Sequence, residues 1–412
     1  MSVAHPTYFN GQRLNNLSNS KINYKAYYQD TILFGVNATT GDTPTPPTPI
    51  YKWEADGTTC VGYDLYYMEY EWVSYDNGTT WSETGQERVG SLIEANSTDC
   101  GYVPPHDYSQ DYFTMVSRGS GNFMFYSNSS PNKLQYSTDG GTTWSTASNN
   151  ITVSVSNGST VLFKGTASPQ ATAGIGTFSA STIAFDVEGN IMSLMYGDNF
   201  TNQKDLTGKD WAFGQMFRQS KVVSAENLIL PATTLAASAY TYMFYNATGL
   251  TSAPTLPAQT LTDSCYRYMF QGCSRLTQAA NMSATTVASN CCYNMYANCF
   301  ALASAQSVLP STTMAYRCYY QMFFGCSGLT TAPTLPSETL VEECYYHMFT
   351  GCSHLNYITM LATDVSATNC LTDWVSGVAA SGTFVKNPNM SSLPSGSSGI
   401  PNGWTVQDYS SS

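Results

Sequence analysis

"CYRYMFQGCSRL", residues 265–276, sets Cys265, Met269 and Cys273 at intervals of four, and nearly the same phrase returns as "CYYQMFFGCSGL" at 318–329 and "CYYHMFTGCSHL" at 344–355. Taking the Met of each "MF" phrase as the marker gives Met216, Met243, Met269, Met295, Met322, Met348 and the substituted Trp374, with steps of 27, 26, 26, 27, 26 and 26 residues. A fixed period of that length, held over seven copies, predicts a solenoid in which each copy stacks on the next. Intervals of four suit one face of a helix, so the spacing predicts one short helix per copy with Leu261, Cys265, Met269, Cys273 and Leu276 along its buried side. Tyr266 and Phe270 widen that apolar stripe. The segments ending in Leu256, Leu309 and Leu335 read as short strands, and the Thr and Ser residues after them are placed to N-cap the following helix.

The same columns hold Cys291, Met295 and Cys299, then Cys318, Met322 and Cys326, then Cys344, Met348 and Cys352. Two cysteines eight apart on one helix lie about 12 Å apart along its axis, beyond the reach of a disulfide. Helices of neighbouring copies stack roughly 8–10 Å apart, which disfavours bridges between copies as well. Ala212 and Ala239 replace the first Cys in early copies, and Ser220 and Ala247 the second. Packing tolerates such exchanges, whereas ligation of a metal does not. The cysteines are therefore expected as reduced core thiols, with no metal site and no cofactor.

Upstream of the array the pattern is different. "YFNGQRLNNL", "KINYKAYYQD" and "TILFGV" within 1–38 read as a small β anchor module, and "NATTGDTPTPPTPI" makes 39–50 an extended Thr/Pro linker. Runs such as "DLYYMEYEWVSYD" predict a small β module over 51–102, where Cys60 and Cys100 are either paired or free thiols. Short strands at regular spacing predict a β-sandwich over 103–198. The solenoid then occupies 199–380, with a C-terminal cap at 381–412. The expected fold class is multidomain, N-terminal all-β modules including a β-sandwich, followed by an α/β leucine-rich-repeat solenoid of about seven repeats.

Of the 412 residues only 11% are charged, 30 are Tyr, and the net charge is −12. The acidity has no Lys/Arg cluster to interrupt it, which speaks against nucleic-acid binding. No stretch approaches 18 apolar residues, and the first residues carry neither a basic n-region nor an apolar h-region. The expectation is a chain that neither inserts in a membrane nor enters the Sec pathway by itself.

The phrase "LPAxTLxxxCYxxMFxGCxxLTxAPxLP", seen best around 256–276 and 335–355, resembles the BspA-like leucine-rich repeats of surface proteins from Bacteroides-group bacteria and of proteins from their phages, including crAss-like phages. "GIPNGWTV" (399–406) is similar to the terminal cap of that family, and "YFNGQRLNNL" is similar in style to attachment segments of phage fibre proteins. The resemblance implies adhesion. It implies a virion fibre, spike or capsid decoration protein made in the bacterial host cytoplasm, held to other virion proteins through its N-terminal module, multicopy or homo-oligomeric on the particle, and binding a host-surface glycan or protein through the repeats. A bacterial cell-surface adhesin or glycan-binding protein is the alternative, and a glycan depolymerase the third reading.

Two phrases, "SYDNGTTW" (74–81) and "YSTDGGTTW" (136–144), fit S-x-D-x-G-x-T-W and look like the Asp-box of sialidases and related proteins. Here Asp76, Gly78 and Trp81, and likewise Asp139, Gly141 and Trp144, read as structural hairpin turns rather than glycan-handling groups, the region being too short for a propeller. No catalytic constellation stands out, because the four histidines are scattered and no nucleophile motif is present, so no enzyme activity is expected. The residues best suited to contact are aromatic. The column two before each Met should face outward, and it holds Arg267, Tyr293, Tyr320 and Tyr346, with Tyr242, Tyr268 and His347 one position later. Around Thr251, Ser252, Thr330 and Thr331 lies a rival, strand-side face.

Overall fold

The structure, a computed structural model, describes residues 49–61, 64–74, 78–94, 111–128, 133–146, 150–309, 311–390 and 393–410, together with four two-residue strands nearer the N-terminus. Those strands form two hairpins, β1 (Tyr8–Phe9) with β2 (Gln12–Arg13) and β3 (Tyr27–Tyr28) with β4 (Thr31–Ile32). The rest of the expected anchor module, most of the Thr/Pro linker, Asp76, and the side chains on which the Cys60–Cys100 question turns lie outside the described residues. The chain divides into two compact units, Met1–Pro105 and His106–Ser412.

In the first unit, β5 (Ile50–Val61), β6 (Asp64–Ser74) and β7 (Ser82–Glu94) make an antiparallel meander. Alternation puts Trp53, Glu69 and Arg88 on one face, where the Arg88 guanidinium lies 4.2 Å from the Trp53 ring centroid and pairs with Glu69. Lys52, Trp72 and Trp81 share the other, with the Lys52 ammonium 4.4 Å over Trp81.

The second unit opens with β8 (Phe113–Ser117), β9 (Gly121–Ser127), β10 (Leu134–Ser137), β11 (Ser145–Thr146), β12 (Ile151–Val155), β13 (Thr160–Gly165), β14 (Gly176–Thr177) and β15 (Phe185–Asn190). One sheet runs β11-β10-β13-β8-β15, and a second holds β9 between β12 and β14. Strand β15 also pairs, in parallel, with β16 (Val222–Ser224) and β17 (Leu228–Ile229) of the first coils. The sheet over 113–190 therefore continues into the array. Phe113, Phe125, Phe163, Phe178 and Phe185 join Phe217 in one buried cluster, so module and coils share a core.

The expected α/β leucine-rich-repeat solenoid is corrected. The structure is nearly all β, 31% strand against 2% helix, and the one short α-helix among the described residues, α1 (Ser193–Tyr196), precedes the repeats. The phrase at 265–273 is instead a ribbon of overlapping turns. Cys265, Arg267, Met269, Gln271 and Cys273 each donate their N–H to the carbonyl three residues back, at 3.0–3.3 Å. The residues between them donate to the next coil instead: Tyr266 to Cys291, Tyr268 to Tyr293, Phe270 to Met295 and Gly272 to Ala297, at 2.8–2.9 Å. Every N–H of the phrase is satisfied, four of the nine between coils, an arrangement closed to an α-helix, whose interior N–H groups all bond internally.

The turns repeat every four residues because the backbone enters the left-handed region every four residues, at Ser264 (φ 56°), Tyr268 (φ 57°) and Gly272 (φ 74°). Asn290, Asn294 and Asn298 do the same one coil later, as do Arg317, Gln321 and Gly325 in the next. Coils tied this way lie close together. The inner rings of Phe244, Phe270, Tyr296 and Phe323 follow one another at 5.4–5.5 Å, whereas packed helices need about 8–10 Å between axes. Helices do not fit that spacing, so the proposed Thr/Ser N-caps have no helices to cap.

On the opposite side, isolated parallel bridges join the coils, for example Thr234 to Thr260 to Thr286, and Leu256 to Met282. The stack ends in three parallel strands, β18 (Tyr357–Met360), β19 (Thr383–Lys386) and β20 (Thr405–Asp408). Two tryptophans close this end: Trp374 Nε1 donates to the Gly399 carbonyl at 2.9 Å and Trp404 Nε1 to that of Ala379 at 2.8 Å.

Candidate binding surface

The four-residue turn places two successive residues inward and the next two outward. In the first pair stand Cys265 and Tyr266, then Met269 and Phe270, all at most 1% exposed. In the second stand Arg267 and Tyr268, half-buried on the outer face. Stacked over successive coils, the outer pairs form a continuous ladder. The Tyr242 and Tyr268 rings are 4.6 Å apart and within 14° of parallel; Tyr268 meets Tyr293 edge-on at 5.4 Å; Tyr293 stacks on Tyr320 at 4.5 Å and Tyr320 on Tyr346 at 4.6 Å. His347 closes the row, 4.3 Å from Tyr346. All seven residues singled out from the sequence thus lie in one row.

The Arg267 guanidinium lies 5.0 Å from the Tyr268 centroid and 4.9 Å from that of Tyr293, where the row shifts from one column to the next. Sequence reasoning missed Arg218, which sits near Tyr242 and Tyr245, and Arg317, which stacks on Tyr316 and Tyr320 while pairing with Glu343. Arg218 and Tyr245 both stand two residues after their marker Met, a column whose signal was in the sequence but was not followed. Burial pushes the phenols of Tyr242, Tyr293 and Tyr320 above their ordinary range, so they remain neutral hydrogen-bonding groups. Because the stacked faces cover one another, the row offers ring edges, hydroxyls and guanidinium groups to a ligand, in place of the open faces expected for sugar stacking.

On the rival face, Thr251, Thr330 and Thr331 are exposed and Ser252 is half-buried. Thr251 Oγ1 donates to the Val223 carbonyl at 3.0 Å and Ser252 Oγ lies 2.7 Å from Ser224 Oγ, so part of this polar row is spent joining coils.

Cys265, Cys273, Cys291, Cys299, Cys318, Cys326, Cys344 and Cys352 are fully buried free thiols, as are Cys292 and, nearly so, Cys370. Met295, Met322 and Met348 fill the column between them. The second Cys column has a bonding role that the sequence did not suggest. Cys273, Cys299, Cys326 and Cys352 each donate S–H to a carbonyl of the preceding coil, those of Phe244, Phe270, Tyr296 and Phe323, at 3.0–3.1 Å. Burial raises these thiols, Cys326 to about 12, which suppresses the reactive thiolate. Among the described residues no three His, Cys, Asp or Glu side chains cluster so as to hold a metal.

The Asp139 turn is self-contained. Its carboxylate accepts from the Thr143 hydroxyl at 2.6 Å, the Thr143 N–H at 2.9 Å and the Ser137 hydroxyl at 2.7 Å, and Ser137 Oγ accepts from the Gly141 N–H at 2.8 Å. These bonds, led by the Thr143 hydroxyl, hold the Asp139 carboxyl down at about 2. Gly141 (φ 90°) and Gly78 (φ 85°) supply the left-handed corners of the two hairpins, and Gly78 N–H donates to Ser74 Oγ in the same way. The hairpins aim Trp144 and Trp81 beneath lysines, Lys164 at 4.1 Å and Lys52 at 4.4 Å. No known protein family, curated protein or solved structure matches the chain.

Proposed function

We propose that this chain is a non-catalytic binding and structural protein that displays the Tyr/Arg row to a glycan or protein on a host-cell surface, as part of a phage virion. The observation that carries the binding role is the row itself, aromatic and cationic across five consecutive coils. Each ring is held between neighbours, so a partner binding there costs little additional side-chain ordering, which favours contact through hydroxyls and guanidinium groups. The virion setting rests on the sequence resemblance alone. Many copies on one particle make weak single contacts effective through avidity.

The binding test uses purified full-length chain on intact bacteria. The double variant Arg267→Ala/Tyr320→Ser is expected to reduce cell binding at least tenfold while a strand-side variant, Thr330→Ala, retains it. Equal binding by both variants refutes the assignment to the row. Mass spectrometry of purified phage particles tests the setting, and particles lacking the chain reject it.

A further inference from the structure

An open cleft of about 450 Å³ lies at the edge of the sheet containing β10 and β13, within the roughly 300–1,000 Å³ typical of small-ligand clefts. Gln135, Lys164, Tyr196, Asp198 and Asn199 are among the residues lining it. None belongs to the Tyr/Arg row. The Lys164 side chain is 13% exposed, its ammonium fixed 4.1 Å over the Trp144 ring and bonded to Asp198 Oδ1 at 2.8 Å. The Tyr112 hydroxyl donates to the same oxygen at 2.6 Å. Tyr112 in turn packs against Trp144 at 5.0 Å, so the Asp139 hairpin, through its Trp, braces the whole group.

Both anchors use Oδ1. The other carboxylate oxygen, on a side chain 65% exposed, has no partner among the described residues, and the Lys164 ammonium retains further N–H donors. A carboxylate acceptor and an ammonium donor within hydrogen-bond distance of each other, each locked in one position, match two adjacent hydroxyls of a sugar ring, which both donate and accept. Gln135 and Asn199 add amide groups at the same wall, with Gln135 Nε2 held by Thr146 Oγ1 at 3.0 Å. An exposed ion pair of this kind adds little to stability, yet Lys164 and Tyr112 both hold one oxygen of Asp198, a residue that lines the cleft. We propose that this cleft is a second ligand site, taking a hexopyranose unit of a glycan, separate from the Tyr/Arg row.

The test is saturation-transfer NMR on the full chain with the methyl glycosides of glucose, galactose, mannose and N-acetylglucosamine as probes. At least one glycoside is expected to receive saturation in the parent protein, to lose at least fivefold of that signal in Asp198→Asn and in Gln135→Ala, and to keep it in Tyr320→Ser. Asp198 and Gln135 stand outside the core, and unchanged amide spectra verify the fold of each variant. Silence from all four glycosides overturns the proposal, as does a signal that survives Asp198→Asn. A signal lost only in Tyr320→Ser assigns the sugar to the row and also overturns it. The row can fail its own cell-binding test while this site stands, and the reverse.

Discussion

Replacing Gln321 by glycine distinguishes a turn ribbon from a helix by the sign of its effect. Gln321 sits at φ 52°, and its side chain makes no hydrogen bond among the described residues, so its removal sacrifices little. A left-handed conformation costs a side-chain-bearing residue roughly 1–2 kcal/mol, which glycine avoids. Glycine's greater freedom in the unfolded chain takes back about 0.5–1 kcal/mol. The net expectation is a gain of about 0.5–1 kcal/mol, whereas the same change inside a helix loses about that much. Hydrogen exchange read by mass spectrometry on peptides spanning 318–329 should show exchange slowed roughly two- to fivefold, at about 1.4 kcal/mol per tenfold. Gly325→Ala supplies the converse. At φ 71° its new Cβ would stand 2.5 Å from Asn298 Oδ1, and even after that flexible group swings aside the φ penalty of roughly 1–2 kcal/mol remains. Faster exchange in Gln321→Gly, or slower in Gly325→Ala, would refute the left-handed four-residue turn.

Two further expectations follow from side-chain environments. With ten of the 12 cysteines buried and free, Ellman's reagent at pH 8 should label no more than two thiols per native chain and at least those ten in denaturant; rapid native labelling of more than two contradicts the buried columns. The Asp139 carboxyl, held down at about 2 against an ordinary value near 4, stabilises its hairpin fully above about pH 4, a contribution lost as pH falls through about 2. The Thr143 amide resonance should therefore titrate with a midpoint near 2, and a midpoint near 4 would show that the bonds to Asp139 do not form in solution.

The period of the array, the inward Cys, Met, Tyr and Phe columns and the outward Tyr row were all legible in the sequence, because each depends only on which residues recur. The local conformation was not, because intervals of four fit a helix of 3.6 residues per turn and a four-residue turn almost equally over two steps. The discriminating signal was present at the outward positions. Asn290, Asn294 and Asn298 recur at a strict four, and Gly272, Gly325 and Gly351 stand at the same place as Asn298 in their copies. Asn and Gly are the residues that tolerate left-handed backbone and are poor choices for a helix interior. Arg218 and Arg317 escaped notice because they stand outside the two columns followed. The Lys164–Asp198–Tyr112 group had no sequence signal at all, since its members come from segments up to 86 residues apart.

Most of the bonds that join the coils are between main-chain groups, and the four Cys S–H bonds between coils also end on main-chain carbonyls, so successive coils meet through much the same donors and acceptors. Removing or duplicating one 26-residue unit in the middle of the stack thus leaves matching edges on both sides of the splice. The display face can therefore lengthen or shorten in whole steps of one coil, adjusting its reach without redesigning any fold.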